Sequence, residues 1–103
     1  MTFSAADDSS EPRALPERIR ISPDILFQEI EREGVLMDTT TQQYFSLDAM
    51  GATIWKLLND DPAISTTRAR LLETYDVAPE VLEKDLREFI FRLVDAGLIA
   101  PDP

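Results

Sequence analysis

Carboxylates are the one abundant side-chain type in this sequence that could do chemistry, with 20 Asp and Glu among 103 residues. Asp60-Asp61, side by side before Pro62, is the pair that most resembles half of a metal site. At a helix end beside proline the same pair is ordinary turn chemistry, because a short carboxylate accepts hydrogen bonds from backbone N–H groups close in sequence. The residues that would complete a catalytic set are missing. The chain has no histidine and no cysteine. That removes the commonest general base, the commonest transition-metal ligand, every thiolate nucleophile and any disulfide framework. Gly34, Gly51 and Gly97 are too far apart to form a phosphate-cradling loop. Tyr44 and Tyr75 read as packing residues rather than acid–base groups. No catalytic residue, metal site or cofactor is expected, and the functional reading turns to binding.

Charge narrows the partners. The formal net charge is −10, a field that repels nucleic acid and anionic membrane and favours basic partners, and that also serves solubility. No apolar run approaches the ~20 residues of a membrane span. The first 17 residues lack the basic start and apolar middle of a signal peptide, so the chain reads as cytoplasmic. A hydrophobic content of 44% in 103 residues suits one domain with a modest core.

The elements that must position any binding residues follow from the pattern. Residues 1–16 read as a disordered acidic tail, since Asp7, Asp8, Glu11, Pro12 and Pro16 crowd together with little to bury. The domain then occupies residues 17–103. Arg18-Ile19-Arg20-Ile21 alternates and predicts a short extended segment, broken at Ser22-Pro23. Residues 25–31 are rich in β-formers, and Glu33-Gly34 suggests a hairpin to Val35-Leu36-Met37. Asp38 opens a second turn, accepting from the backbone two residues on, and Gln43-Tyr44-Phe45-Ser46-Leu47 makes a third strand. The period then becomes helical. Asp48 caps a helix to Asn59, whose small Gly51-Ala52 pair lets it lie close to the sheet. Ser65 or Thr66 caps a second helix to about Tyr75, with Ala69, Leu71 and Leu72 on its apolar side. Pro79 opens a third helix to about Ala96, ended by Gly97, after which Leu98-Ile99 resumes an extended segment. On its wheel Leu82, Leu86, Phe89 and Leu93 form the apolar centre, Ile90 and Val94 flank one side, and Val81, Asp85, Glu88 and Arg92 line the other. The fold class is α+β: a winged-helix-like domain, a three-stranded antiparallel meander followed by three helices, in an unusual order for winged helices.

Two binding modes fit such a domain. The second and third helices could form a helix-turn-helix, giving a winged-helix transcriptional regulator. The third helix, however, carries Glu80, Glu83, Asp85, Glu88 and Asp95 against Lys84, Arg87 and Arg92, a net negative surface where phosphate contacts need a positive one. The alternative is the sheet: a strand such as Gln43-Tyr44-Phe45-Ser46-Leu47 at an edge offers unpaired N–H and C=O groups to an incoming extended peptide. The same edge could instead be covered by the tail or by a second copy of the chain, a structural dimerisation module.

The stretch from Val35 onward points further. Val35-Leu36-Met37-Asp38, Tyr44-Phe45-Ser46-Leu47-Asp48 and Gly51-Ala52-Thr53-Ile54-Trp55-Lys56-Leu57-Leu58 follow one another as in the PqqD-like family. Tyr75-Asp76-Val77, Val81, Asp85-Leu86, Phe89-Ile90, Leu93 and Gly97-Leu98-Ile99 match its closing half. Over about Arg18 to Ile99 the chain resembles these leader-peptide recognition domains of ribosomally synthesised, post-translationally modified peptide pathways. The resemblance implies a non-catalytic domain that binds the leader segment of a precursor peptide as an added strand and presents it to a separate modifying enzyme. Such enzymes are leader proteases, cyclases or radical SAM enzymes. It implies a groove of Gln43, Tyr44, Phe45, Ser46 and Leu47 facing Val81, Asp85, Phe89 and Arg92. Leu47 and Phe89 also suit the core, and Tyr44 and Phe45 must point to opposite faces. Asp48 replaces the family's usual Asn and keeps the capping role. Gln42 stands where the family often has Gly, which implies a longer or differently shaped second hairpin. The wording Tyr-Phe-x-Leu and Gly-Ala-x-Ile-Trp looks more like the stand-alone domains of lasso-peptide pathways than those of quinone-cofactor biosynthesis.

Overall fold

The computed structural model describes residues 15–102. They run β1 (Ile19–Ile21), β2 (Ile25–Ile30), β3 (Glu33–Asp38), β4 (Gln43–Leu47), α1 (Ala49–Asp60), α2 (Ile64–Thr74), α3 (Pro79–Asp95) and β5 (Ile99–Pro101). The meander β2-β3-β4 followed by three helices is the expected architecture. Most of the expected acidic tail, residues 1–14, lies outside the described residues. Its last two, Leu15 and Pro16, are half-buried, and Leu15 packs against the core.

The first hairpin differs from expectation. Ile30 pairs with Glu33, so the turn is Glu31-Arg32, with both residues at positive φ (52° and 76°). Two such residues make a type I′ turn, whose twist suits the flanking strands although side chains disfavour it. A reversal at Glu33-Gly34 would set Phe27 against Thr40; the observed register sets Phe27 against Leu36, apolar on apolar. Gly34 is instead buried inside β3, where a Cβ would lie 2.6 Å from Phe27 Cε1 and 3.2 Å from Ala52 Cβ. It is a glycine of close approach, letting a ring and a helix settle on the strand.

The second hairpin is built as Asp38 predicts. Its carboxylate accepts from the N–H groups of Thr40 (2.9 Å) and Thr41 (3.3 Å), and Gln42 closes the four-residue loop at φ 62°. That is a backbone for which glycine is the easier residue. The loop is tied back to the β1–β2 connection by Thr39, whose N–H and hydroxyl both donate to the Asp24 carbonyl at 2.9 Å.

Asp48 caps α1, its Oδ1 accepting from the Gly51 N–H at 2.7 Å, worth ~1 kcal/mol for a good cap. The helix lays Ala52, Trp55 and Leu58 onto the sheet, with the rings of Trp55 and Phe27 centred 6.5 Å apart. In α2 the expected cap is displaced. Helix α2 starts at Ile64 with Ala63 in the capping position, and Asp61, not Ser65 or Thr66, accepts the Ala63 N–H at 3.0 Å. That bond, with one from the Thr66 hydroxyl, holds the Asp61 carboxyl below the usual range, and Arg18 and Arg70 act in the same direction. The buried stripe runs through Ile64, Thr67 and Leu71, leaving Ala69 and Leu72 exposed rather than on the apolar side.

Helix α3 buries Leu82, Leu86, Phe89 and Leu93, as its wheel predicts, and Ile90 with them. Gly97 ends it at φ 80°, donating to Val94 O while Leu98 donates to Leu93 O, both at 3.0 Å, a Schellman motif. This cap aims β5 back along β1: Ile19, Arg20 and Ile21 pair with Pro101, Ala100 and Ile99. The same N-terminal segment is stitched to the α1–α2 connection by Ile19 N–H to Pro62 O (3.1 Å) and Ile64 N–H to Glu17 O (3.0 Å). Among the described residues no helix is long and apolar enough to cross a membrane.

Candidate functional site

Strand β4 pairs only with β3 and lies at the edge of its sheet. In antiparallel pairs, alternate residues turn both backbone groups to opposite sides. The closing pair of the Glu31-Arg32 turn, Ile30 and Glu33, exchanges hydrogen bonds, so Glu33, Val35 and Met37 face β2 and Gly34, Leu36 and Asp38 face β4. Their partners Leu47, Phe45 and Gln43 are satisfied by β3. The N–H and C=O groups of Tyr44 and Ser46 therefore point away from the sheet, a ready ladder for one more strand.

Side chains alternate the other way. Phe45 and Leu47 turn inward, half-buried and 7% exposed, while Tyr44 (69% exposed) and Ser46 turn to the outer face. Tyr44 is thus a surface residue and not the packing residue its composition suggests. Tyr75 is one, half-buried against the core.

Beside the C-terminal half of β4 opens a cleft of about 620 Å³ between β4, α1 and α3. Leu47, Met50, Ile54 and Phe89 give it apolar walls. Gly51 completes them where a Cβ would come 3.1 Å from the Phe89 ring. Ser46 and Asp48 stand at one side, and Asp85, Glu88 and Arg92 project from α3 on the other. Ion pairs form elsewhere among the described residues, at Lys56–Glu29, Arg68–Glu83 and Arg20–Asp102. Asp85, Glu88 and Arg92 enter none of these pairs and are exposed.

Of the nine residues expected at a peptide groove, the cleft gathers Ser46, Leu47, Asp85, Phe89 and Arg92. Gln43, Tyr44 and Phe45 continue along the same strand away from the cleft, and Val81, half exposed, lies a turn before Asp85 on α3. Met50, Gly51, Ile54 and Glu88 also line it. The first three sit in a helix whose apolar spacing reads as core, so nothing in the pattern sets them apart. Glu88 stands on the wheel face already noted for α3. Among the described residues no cluster of acidic side chains could hold a metal ion, and Asp61 serves the start of α2, as turn chemistry predicts.

A family model described as Coenzyme PQQ synthesis protein D (PqqD) matches residues 33–99, from the start of β3 to the first residue of β5. The chain belongs to the PqqD family. The match includes the edge strand and every wall of the cleft. A solved structure described as TbiB1 in complex with the TbiA(beta) leader peptide shares the PqqD-family fold of this chain. It is 31% identical, with a TM-score of 0.76, covering 82% of this chain and 98% of that one. Another, lasso peptide synthetase B1 complexed with the leader peptide, is alike in fold at 24% identity and a TM-score of 0.72, covering 82% and 99%. Among curated protein sequences, none matches the chain.

Proposed function

We propose that this protein is a non-catalytic recognition domain that binds the leader segment of a ribosomally made precursor peptide and presents it to a separate modifying enzyme. The observation that carries the reading is the free edge of β4 lying directly beside an apolar-walled cleft. An extended peptide gains backbone hydrogen bonds from Tyr44 and Ser46, and its alternate side chains fall toward the cleft between β4 and α3. Membership of the PqqD family and the leader-peptide complexes of the two similar structures support the same reading. The Tyr-Phe-x-Leu and Gly-Ala-x-Ile-Trp wording of β4 and α1 favours a lasso-peptide pathway over quinone-cofactor synthesis. The absence of histidine and cysteine from the sequence leaves the chemistry to the partner, a protease, cyclase or radical enzyme. A partner needs a surface the peptide does not use. The outer face of the sheet offers one, with Leu26 (58% exposed), Ile30 (52%) and Tyr44 in the open.

Ser46→Pro tests the edge. Proline is tolerated where a strand's N–H faces away from the sheet, yet it removes that donor. The fold, checked by circular dichroism, should persist. Binding of the cognate leader peptide, measured by calorimetry, should weaken by ~1 kcal/mol or more, the net worth of a hydrogen bond. Unchanged affinity in a folded variant would place the peptide elsewhere.

A further inference from the structure

The charges around the cleft say what kind of peptide enters it. Asp85 and Glu88 are three residues apart on α3, neighbours on one helix face, and both border the cleft with Asp48 opposite. Asp48 already accepts the Gly51 N–H, whereas Asp85 and Glu88 take part in no ion pair or hydrogen bond among the described residues. Other carboxylates of the chain, Glu29, Glu83 and Asp102, have found cations. Arg92 lies one further turn along α3. It is a single cation at a rim with three carboxylates, and it marks the opposite end of the charged row. The walls below are apolar: Met50, Ile54 and Phe89.

A strand laid along Tyr44 and Ser46 sends every second side chain toward this cleft, ~7 Å apart. Consecutive inward side chains therefore meet different surfaces, one the Asp85–Glu88 pair and the next the apolar walls. We infer that the cleft selects a peptide carrying a lysine or arginine two residues from an aliphatic side chain. The cation is held between Asp85 and Glu88, and the aliphatic group seats on Met50, Ile54 and Phe89. Long basic side chains suit the position, because their methylene stems lie on apolar surface while the charge reaches the rim. An acidic residue at the same position meets two unpaired carboxylates inside a field of net charge −10 and is rejected, which is selection by repulsion as much as by attraction.

This inference rests on the strand-addition reading, and the test separates the two. A displayed library of random dodecapeptides is selected against the full chain, against Ser46→Pro, and against Asp85→Lys/Glu88→Lys. Circular dichroism verifies each fold. Enriched peptides are then synthesised, and their affinities measured by fluorescence anisotropy at low and at physiological salt. Peptides selected on the parent should carry Lys or Arg two positions from Leu, Ile or Val. Replacing that basic residue by norleucine should weaken binding about five- to tenfold, the scale of one or two partly exposed ion pairs, and less so at high salt. The charge-reversed chain should enrich Asp or Glu at the same position. Peptides that depend on Ser46 but show no basic preference, and bind the reversed chain as well as the parent, overturn the charge reading and leave strand addition standing. Peptides indifferent to Ser46→Pro, or a selection that enriches none, overturn both.

Discussion

At the scale of single residues, Thr67 is the clearest conflict in the molecule. It sits in the buried stripe of α2 with no accessible surface, and its hydroxyl has no hydrogen-bond partner among the described residues. Threonine in a helix ordinarily returns its hydroxyl to a carbonyl one turn back, as Thr53 does to Ala49 (2.9 Å) and Thr74 to Arg70 (2.8 Å). An unpaired buried hydroxyl costs ~1–3 kcal/mol, and valine has nearly the same shape and helix propensity. Thr67→Val should therefore stabilise the fold by ~1 kcal/mol and raise the thermal midpoint by about 5 °C, read by circular dichroism. A lowered midpoint would mean that the hydroxyl is satisfied in solution. Composition marks Thr67 as a polar, solvent-facing position. It turns inward because it shares a helix face with Ile64 and Leu71, both core residues. The packing of Ile64 and Leu71 thus decides which of Thr67, Ala69 and Leu72 is buried.

At the scale of elements, local signals were legible where the chemistry was local. Asp48 caps α1, Asp38 builds the second hairpin, and Pro79 and Gly97 bracket α3, because each acts on backbone within four residues of itself. Tertiary fit outvoted local preference at Glu31-Arg32, where two ordinary residues take positive φ so that Phe27 can meet Leu36 across the strands. The pairing of β1 with β5 had no local signature at all, since its halves lie some 80 residues apart in the chain. The cleft was half legible for a related reason. Asp85 and Arg92 stand beside an apolar stripe on the wheel, but Met50 and Ile54 look like any buried helical position until the sheet edge is in place. The β1–β5 clasp predicts a sharp boundary. Deleting residues 1–14 should leave the thermal midpoint within about 3 °C, the usual size of a surface change. Deleting through Ile21 removes the Ile19 side chain, 1% exposed, together with the strand that pairs β5 and the bonds to the α1–α2 connection. That chain should lose its cooperative melting transition. Equal behaviour of the two deletions would show that the clasp is dispensable.

At the scale of the whole molecule, one arrangement of helices could serve two kinds of polymer, and charge decides between them. Helices α2 and α3 are joined by a short connection, residues 75–78, as in domains that set a second helix into the major groove of DNA. Duplex DNA presents a dense row of phosphates, and proteins gain non-specific affinity for it by releasing counterions with Lys and Arg. Here α3 carries five carboxylates against three cations. One of the three, Arg87, lies over the ring of Phe91 at 5.6 Å, and the chain as a whole is at −10. An approach of α3 to the groove through the face that borders the cleft would set Asp85 and Glu88 against phosphate. The protein should therefore show no salt-sensitive binding to a 20-base-pair duplex at physiological ionic strength. Fluorescence anisotropy at protein concentrations up to ~10⁻⁴ M, where non-specific binders are half-saturated or more, is the measurement. The charge-reversed Asp85→Lys/Glu88→Lys chain is the control, since it moves α3 to a net positive surface. If the parent bound DNA with an affinity that fell steeply with salt, a nucleic-acid function would outrank peptide recognition. If only the reversed chain bound, the carboxylates that face the cleft would also be what keeps this fold off DNA.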